Sequence, residues 1–280
     1  MKWNIVADSA CDLYSTEALA GRAGFTILPF SIRTEGMEYV DDESLIVDAL
    51  LNRMEGGGSD MRTTWPPPCQ WADAFRRAER TVAITVSGRQ SRSYSSAKIA
   101  REFALKERPG RQILLLDSRS TGPAMALCVH RLAEWIDAGH SIRTIEALAT
   151  HQLENTHTVF ALSAFDNLVA SGRISSVMSY HAKAPGLWGV GIGDPRGESV
   201  TMGRARGRRK ALAMILEDMN RRGYAGGDAA IHHCFNAASA ARLKELIQSR
   251  WQSARVTIRP TRGLNSFYAE RGGLIVAYCV

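Results

Sequence analysis

VAITVSGRQSRSYSSAKIA, residues 82–100, carries an apolar run, a hydroxyl-rich loop and the start of a helix in immediate succession. Val82 to Val86 read as a buried strand. Ser87, Gly88, Ser91 and Ser93 make the loop. A helix begins near Tyr94, with Ala97, Ala100, Phe103 and Ala104 on its apolar face and Ser91 or Ser93 as its cap. The first N–H groups of a helix have no partner within it, and the helix dipole is positive there. Strand, serine loop and helix start therefore suit a carboxylate or a phosphate. An ordinary capped βα turn is the competing reading of the same residues.

The pattern occurs again on either side. WNIVA (3–7) reads as a strand running into DSACDL, with Asp8, Ser9 and Asp12 at its C-terminal end. ILLL (113–116) runs into Asp117 and Ser118, and a helix follows with Met125, Leu127, Val129, Leu132, Ala133 and Ile136. Polar side chains at such strand ends line the crevice of an open α/β sheet, or else cap the next helix. Three βα units predict a parallel sheet with helices packed on it. Between them, FTILPFSIRT (25–34) reads as one strand and EGMEYVDD as a hairpin ending in an acidic turn; residues 13–20 and 43–54 read as helices. GGGSDMRTTWPPPCQW (56–71) is a long loop holding Thr63 and Thr64 between glycines and prolines. A loop of that length in a compact domain tends to be functional. A helix leaves it, from Cys69 to Arg80.

From about residue 157 the texture changes. THTVFALSAF, AAIHHCF, ARVTIRP and GGLIVAYCV read as strands, and GLWGVGIG and ESVTMGRA as a pair around the turn DPRG. Helices fall at about 208–221 and at ASAARLKELIQSRW. DNLVASGRISSVMSYH reads as a short helix, a break at Gly172 and further helix. The expected fold class is α/β in two domains: an N-terminal parallel sheet with flanking helices, residues 1–150, and a C-terminal mixed α+β domain, residues 151–280.

Of the 280 residues, 45% are hydrophobic and 22% charged, as in a soluble globular protein with a sizeable core. No apolar run reaches the length of a membrane span. MKWNIVADSA leads almost directly into a strand, with neither an h-region nor a cleavage site, so a cytoplasmic location without stable membrane insertion is expected. The net charge of +7 owes much to Arg204, Arg206, Arg208, Arg209 and Lys210. These form a solvated surface or meet an acidic partner; aromatics are not interleaved with them, so no nucleic-acid partner is expected. The five cysteines are far apart, odd in number and without a C-x-x-C, which predicts buried free thiols. His232, His233 and Cys234 are adjacent, but on a strand His233 faces away from the other two. They read as structural residues, and no metal or cofactor is expected.

In order along the chain, IVADSACDL, TTWP (63–66), SGRQSRSYSSA, LLLDSRSTG, LVASGRISS, KAP (183–185) and RARGRRKA resemble the motifs of the DegV family of bacterial fatty-acid-binding proteins, the carrier subunits of fatty acid kinases. The resemblance runs from residue 4 to about residue 211. It implies a two-domain fold with a long-chain, palmitate- or oleate-like fatty acid in a tunnel between the domains and its carboxylate at the surface end. Thr63 and Ser91 would hydrogen-bond that carboxylate, with N–H groups after Ser91 assisting. Arg173 would lie near the docking surface for an ATP-binding kinase subunit, which would convert the bound carboxylate to an acyl phosphate. The carrier would have no catalytic residues of its own. Arg92 stands where the family has Gly, Trp65 where it has Gln, and Ser171 where it has the first Gly of G-G-R-I. Tyr268 falls approximately where the family has a histidine near the carboxylate. The candidate headgroup residues are thus Thr63, Ser91, Arg92, Ser93 and Tyr268, with Asp8, Ser9, Thr64, Asp117 and Ser118 as further site lining. The rival reading is an enzyme acting on a phosphorylated or acyl substrate at the strand ends of the N-terminal sheet. Neither a G-x-S-x-G elbow nor a G-x-x-x-x-G-K-[ST] loop supports it.

Overall fold

The computed structural model describes residues 2–14, 19, 21, 23–34, 36–55, 61–174 and 186–280. In chain order the elements are β1 (Trp3–Asp8), a 3-10 turn (Ser9–Cys11), β2 (Gly24–Leu28), β3 (Ser31–Thr34), β4 (Met37–Val40), α1 (Val47–Glu55), β5 (Arg62–Thr64), α2 (Pro68–Arg76), β6 (Arg80–Thr85), α3 (Ser93–Glu107), β7 (Gln112–Asp117), α4 (Pro123–Asp137) and α5 (Ile142–Glu154). They continue with β8 (Thr156–Leu162), α6 (Asp166–Ala170), β9 (Leu187–Gly193), β10 (Ser199–Arg206), α7 (Arg208–Arg221), β11 (Gly227–His233), α8 (Ala237–Arg250), β12 (Ala254–Pro260), α9 (Gly263–Ala269) and β13 (Leu274–Cys279).

The first sheet is four-stranded and parallel, in the order β2-β1-β6-β7. Side chains alternate across a strand, so an apolar run buried on both faces feeds two helical layers. Ile5, Ala7, Val82, Ile84, Leu114 and Leu116 face Met125, Val129 and Leu132 of α4. Val6, Ala83 and Leu115 face Trp71 and Phe75 of α2 and Ala97, Ala100 and Ala104 of α3. The second sheet is six-stranded, in the order β10-β9-β8-β13-β11-β12, and antiparallel except for β11–β12. Its outer face, with Val159, Val190, Ile231 and Val276, is covered by α7 and α8. Its inner face, with Phe160, Leu162 and Ile275, packs with Leu168, Phe267, Ile32 and Leu50. A small antiparallel sheet, β4-β3-β5, stands beside that layer.

The α/β class and the parallel and mixed sheets agree with the sequence reading. Several local expectations do not. Residues 25–34 form two strands in different sheets, because Pro29 has no N–H for a ladder and breaks the run after Leu28. The long loop contains a strand, β5, which pairs with β3. The helix expected from Cys69 to Arg80 is α2 and ends at Arg76. Phe103 is 57% exposed; the packed face of α3 is its alanines, whose small size lets α2 approach. Neither Ser91 nor Ser93 is the cap residue of α3, a position taken by Arg92. Cys11, Cys128 and Cys234 are buried as expected, whereas Cys69 is exposed and Cys279 half-buried; all are free thiols. Most of the helix expected over 13–20, the helix after Gly172 and the KAP segment lie outside the described residues.

Candidate functional site

Between the C-terminal ends of the parallel strands and the inner face of the second sheet lies a pocket of about 800 Å³, its mouth included. Phe30, Val86 and Leu264 wall it on one side, and Phe160, Leu162, Leu168 and Ile275 on the other. Phe160 can lie flat there because Gly191, its neighbour on β9, has no side chain: a Cβ would stand 2.3 Å from the ring. The polar lining includes Thr63, Gln90, Ser91, Ser120, Thr121, Asn265 and Tyr268, with Arg119 and Arg173.

Thr63 from β5 and Tyr268 from α9 share one hydrogen bond, Oγ1 to phenol oxygen, at 2.8 Å. Two hydroxyls hold two protons; one is used between them, so one is left to donate. Burial raises the Tyr268 phenol above its ordinary range, which keeps it protonated. The Arg173 guanidinium lies 5.2 Å from the Tyr268 ring centre and donates to the Ser171 carbonyl. Ser91 Oγ accepts the Ser93 N–H at 3.2 Å and keeps its own proton for a ligand. The first carbonyl-to-amide bond of the helix runs from Ser96 N–H to Arg92, so the α3 amides before Ser96 have no backbone partner inside the helix. The loop reading of an anion-friendly helix start and the pocket thus meet at Ser91.

The other sequence candidates divide into scaffold and surface. Ser93 is buried and gives its hydroxyl to Asp8 Oδ2 at 2.7 Å, so it does not reach the pocket. Asp8 also accepts the Val86 N–H at 3.0 Å. Burial pushes its carboxyl up to about 7 against these two donors. Ser9 is buried and accepts the Phe30 N–H. Asp117 Oδ1 accepts the N–H groups of Gly88 and Arg119, shaping the loops above β6 and β7. Ser118 bonds to the Ser120 backbone. Thr64 points outward, and Arg92 is exposed with its guanidinium 5.5 Å from the Trp65 ring. Asp8, Ser9, Arg92, Ser93, Thr64, Asp117 and Ser118 therefore support or flank the pocket without lining it.

What holds Tyr268 in place was not legible. Asp41 accepts the N–H groups of Gly263 and Leu264 at 2.9 and 3.0 Å, filling the N-terminus of α9. Arg262 is buried, donates to the Leu13 and Asp41 carbonyls and lies against the Tyr14 ring. Asn265 reaches the Ala10 carbonyl and accepts from Thr121. Asp12 accepts the Arg262 N–H and pairs with His232 Nδ1, each at 2.7 Å. In sequence Asp41 is one residue of an acidic turn, and α9 has no cap or periodic signal of its own. A second brace is the β9–β10 turn: Ser87 Oγ and Gln90 Nε2 both donate to the Gly197 carbonyl, at 2.7 and 3.1 Å.

Among the described residues no group of three or more His, Cys, Asp or Glu could hold a metal, and no helix is long and apolar enough to cross a membrane. Fold and pocket together define an α/β protein with an apolar chamber between two sheets and a hydroxyl-lined mouth. A family model described as "Uncharacterised protein, DegV family" matches residues 2–279. The chain belongs to the DegV family. A DegV domain-containing protein of Streptococcus gordonii is 32% identical over 99% of both chains. The Streptococcus pneumoniae Fatty Acid Kinase (Fak) B3 protein loaded with linoleic acid superposes with a TM-score of 0.96, 31% identity and full coverage of both chains. A Eubacterium eligens DegV family protein loaded with heptadecanoic acid gives a TM-score of 0.95 at 29% identity over 99% of both chains.

Proposed function

We propose that this chain binds one long-chain fatty acid in the inter-sheet pocket, with its carboxylate at Thr63, Ser91 and Tyr268, and presents that carboxylate to a separate ATP-dependent kinase subunit. The observation that carries this reading is an apolar chamber whose mouth gathers hydroxyl donors beside the start of α3. The heptadecanoic and linoleic acids of the two solved relatives support it.

The energetics agree. Burying a long acyl chain gains about 0.8 kcal/mol per CH₂, on the order of 10 kcal/mol for a tail of palmitate size. Ordering and association take back several kcal/mol, so the tail alone leaves affinity in the micromolar range, to which the headgroup donors add. A carboxylate at the mouth would be costly without donors. Here it receives the Ser91 proton, one proton from the Thr63–Tyr268 pair and the amides opening α3, beside the positive Arg173. Donors from these directions leave an oxygen lone pair free. In the proposed transfer that oxygen attacks the γ-phosphorus of ATP held by the kinase; a P–O bond forms to the carboxylate, the bond to ADP breaks, and an acyl phosphate results. The carrier contributes position and charge, and the partner contributes nucleotide and metal.

The test is the double variant Thr63→Ala with Ser91→Ala. We expect fatty-acid affinity to fall about 10- to 100-fold, as for one lost donor to a charged group, Ser91, together with the Thr63 contact that aims the Tyr268 hydroxyl, while the unfolding temperature of the lipid-free protein stays near wild type. Unchanged affinity in a titration would reject the headgroup assignment.

A further inference from the structure

A second cavity backs onto the acyl chamber. It holds about 630 Å³ of space, its opening included, between the loop after β7, the start of β8 and the β9–β10 turn. His157, Asp194 and Arg222 give it a polar rim, while Ala124 and Leu153 are its apolar part. Among the described residues Arg119, Ser120, Thr158 and Gly193 line both spaces. A single layer of side chains therefore stands between them. The centre of that layer is a hydrogen bond: Ser120 Oγ and Thr158 Oγ1 lie 2.7 Å apart. Ser120 comes from the parallel-sheet side and Thr158 from β8, so the pair spans the gap between the two sheets. Both members are held. The Ser120 carbonyl accepts the Ser87 N–H at 2.9 Å, and its own N–H donates to Ser118 Oγ at 3.1 Å. Thr158 is 8% exposed and, being β-branched, is stiff at χ1. Gly193 stands beside it with room to spare: a Cβ there would lie 3.6 Å from Thr158 Cβ, an ordinary contact.

The pair lies away from the headgroup end of the chamber. Thr158, Phe160 and Leu162 alternate onto one face of β8 and all line the chamber. Leu162 is at the Tyr268 end. Across Gly273 it meets Ala269, the neighbour of Tyr268: a Cβ on that glycine would stand 3.0 Å from Leu162 Cδ2 and 2.5 Å from the Ala269 carbonyl oxygen. Thr158 is four residues further back along the strand, about 13 Å. A tail whose carboxylate sits at Tyr268 thus runs over Leu162 and Phe160 toward the Ser120–Thr158 pair. Each methylene buried before the pair adds affinity. Methylenes beyond it must force the pair apart or pull the carboxylate off its donors, and either costs affinity.

We infer that the Ser120–Thr158 pair is the end stop of the acyl chamber: it sets the longest tail that the protein accepts and shuts the polar-rimmed second cavity off from the chain. The inference rests on the fatty-acid reading of the pocket and adds to it the residues that measure the tail.

The experiment offers the delipidated full chain an equimolar mixture of myristate, palmitate, stearate, arachidate and behenate, delivered from cyclodextrin, and counts each bound acid by native mass spectrometry. Wild type should take up behenate at least about tenfold less than its preferred acid. Ser120→Ala with Thr158→Ala removes two hydroxyls and a methyl and joins the two cavities. Its uptake of behenate relative to palmitate should rise at least about tenfold. Thr158→Ala alone makes a smaller opening, should shift the profile the same way, and decides the matter if the double variant does not fold. Adding Gly193→Val to the opened variant should refill the gap and bring back the wild-type profile, a return that general loosening of the fold would not give. An opened variant with the wild-type profile, a profile that Gly193→Val does not restore, or a wild type that takes all five acids equally would overturn the inference. Each of these outcomes requires bound acid, so they are distinct from failure of the fatty-acid reading, in which wild type takes up none of the five and the end stop falls with it.

Discussion

Asp8 shows how a residue legible as a site candidate becomes scaffold. Its position at the end of a parallel strand is where ligand-binding side chains occur. Yet its carboxylate is buried, turned to Val86 and Ser93, and its Oδ1 has no partner. Burial raises its pKa from 3.8 to about 7. Between these values the folded protein holds a proton that the unfolded chain has lost. Stability therefore falls as pH rises through that window, and the full penalty is present above it. Asp8→Asn keeps an oxygen for both donors and carries no charge. It should raise the unfolding temperature at pH 8 by several degrees and leave it nearly unchanged near pH 4. A variant less stable than wild type at pH 8 would contradict this account. At this scale the sequence marked Ser91 through its helix start and Thr63 only as part of a long loop, while the headgroup role of Thr63 and the choice of Tyr268 came through family resemblance. The difference is physical: Ser91 acts within its own loop, whereas Thr63 and Tyr268 acquire their roles by meeting across the chain.

Elements were readable where they carry their own pattern. The central strands, α3, α4, α7 and α8 each have an apolar run or stripe that predicts them. Two elements at the pocket do not. β5 spans only Arg62–Thr64 inside a glycine- and proline-rich loop, and it is a strand because β3 pairs with it. α9 begins at a glycine, and its first amides are satisfied by Asp41, far away in sequence. The β9–β10 turn is readable as a turn, but its docking on Ser87 and Gln90 is not. Gly197 makes that docking fit: its φ is +89°, and a Cβ would stand 2.3 Å from Ser87 Oγ and 3.0 Å from Arg119 Cα. Gly197→Ala should therefore destabilise the protein by about 1–3 kcal/mol through strain and overpacking. It should also speed fatty-acid release, since the turn braces the wall of the chamber. Thermal unfolding and a lipid-transfer assay read the two effects, and a wild-type release rate would show that the turn does not retain the ligand.

For the whole molecule, the parallel sheet and the mixed sheet followed from βα succession and strand spacing. The chamber did not, because it belongs to the docking of one sheet against the other. Phe30, Val86, Leu162 and Ile275 read as ordinary core positions, and only their assembly leaves space between them. Partner recognition is a property of the same scale. Arg173 lies at the mouth over Tyr268, so a partner approaching the headgroup would meet its charge. Arg173→Ala should leave fatty-acid affinity within about threefold and lower acyl phosphate formation with the cognate kinase at least about tenfold, as for an interface hot spot. Equal loss of both would place Arg173 in the headgroup site instead. Bound lipid should also stabilise the fold, by about 2.7 kcal/mol at a hundredfold excess over Kd.

The most direct measurement is native mass spectrometry of the purified protein, followed by organic extraction and identification of the released molecule. The account predicts one long-chain fatty acid per chain, either carried through purification or taken up from added palmitate or oleate. A protein that is empty and stays empty with both acids would contradict the central claim.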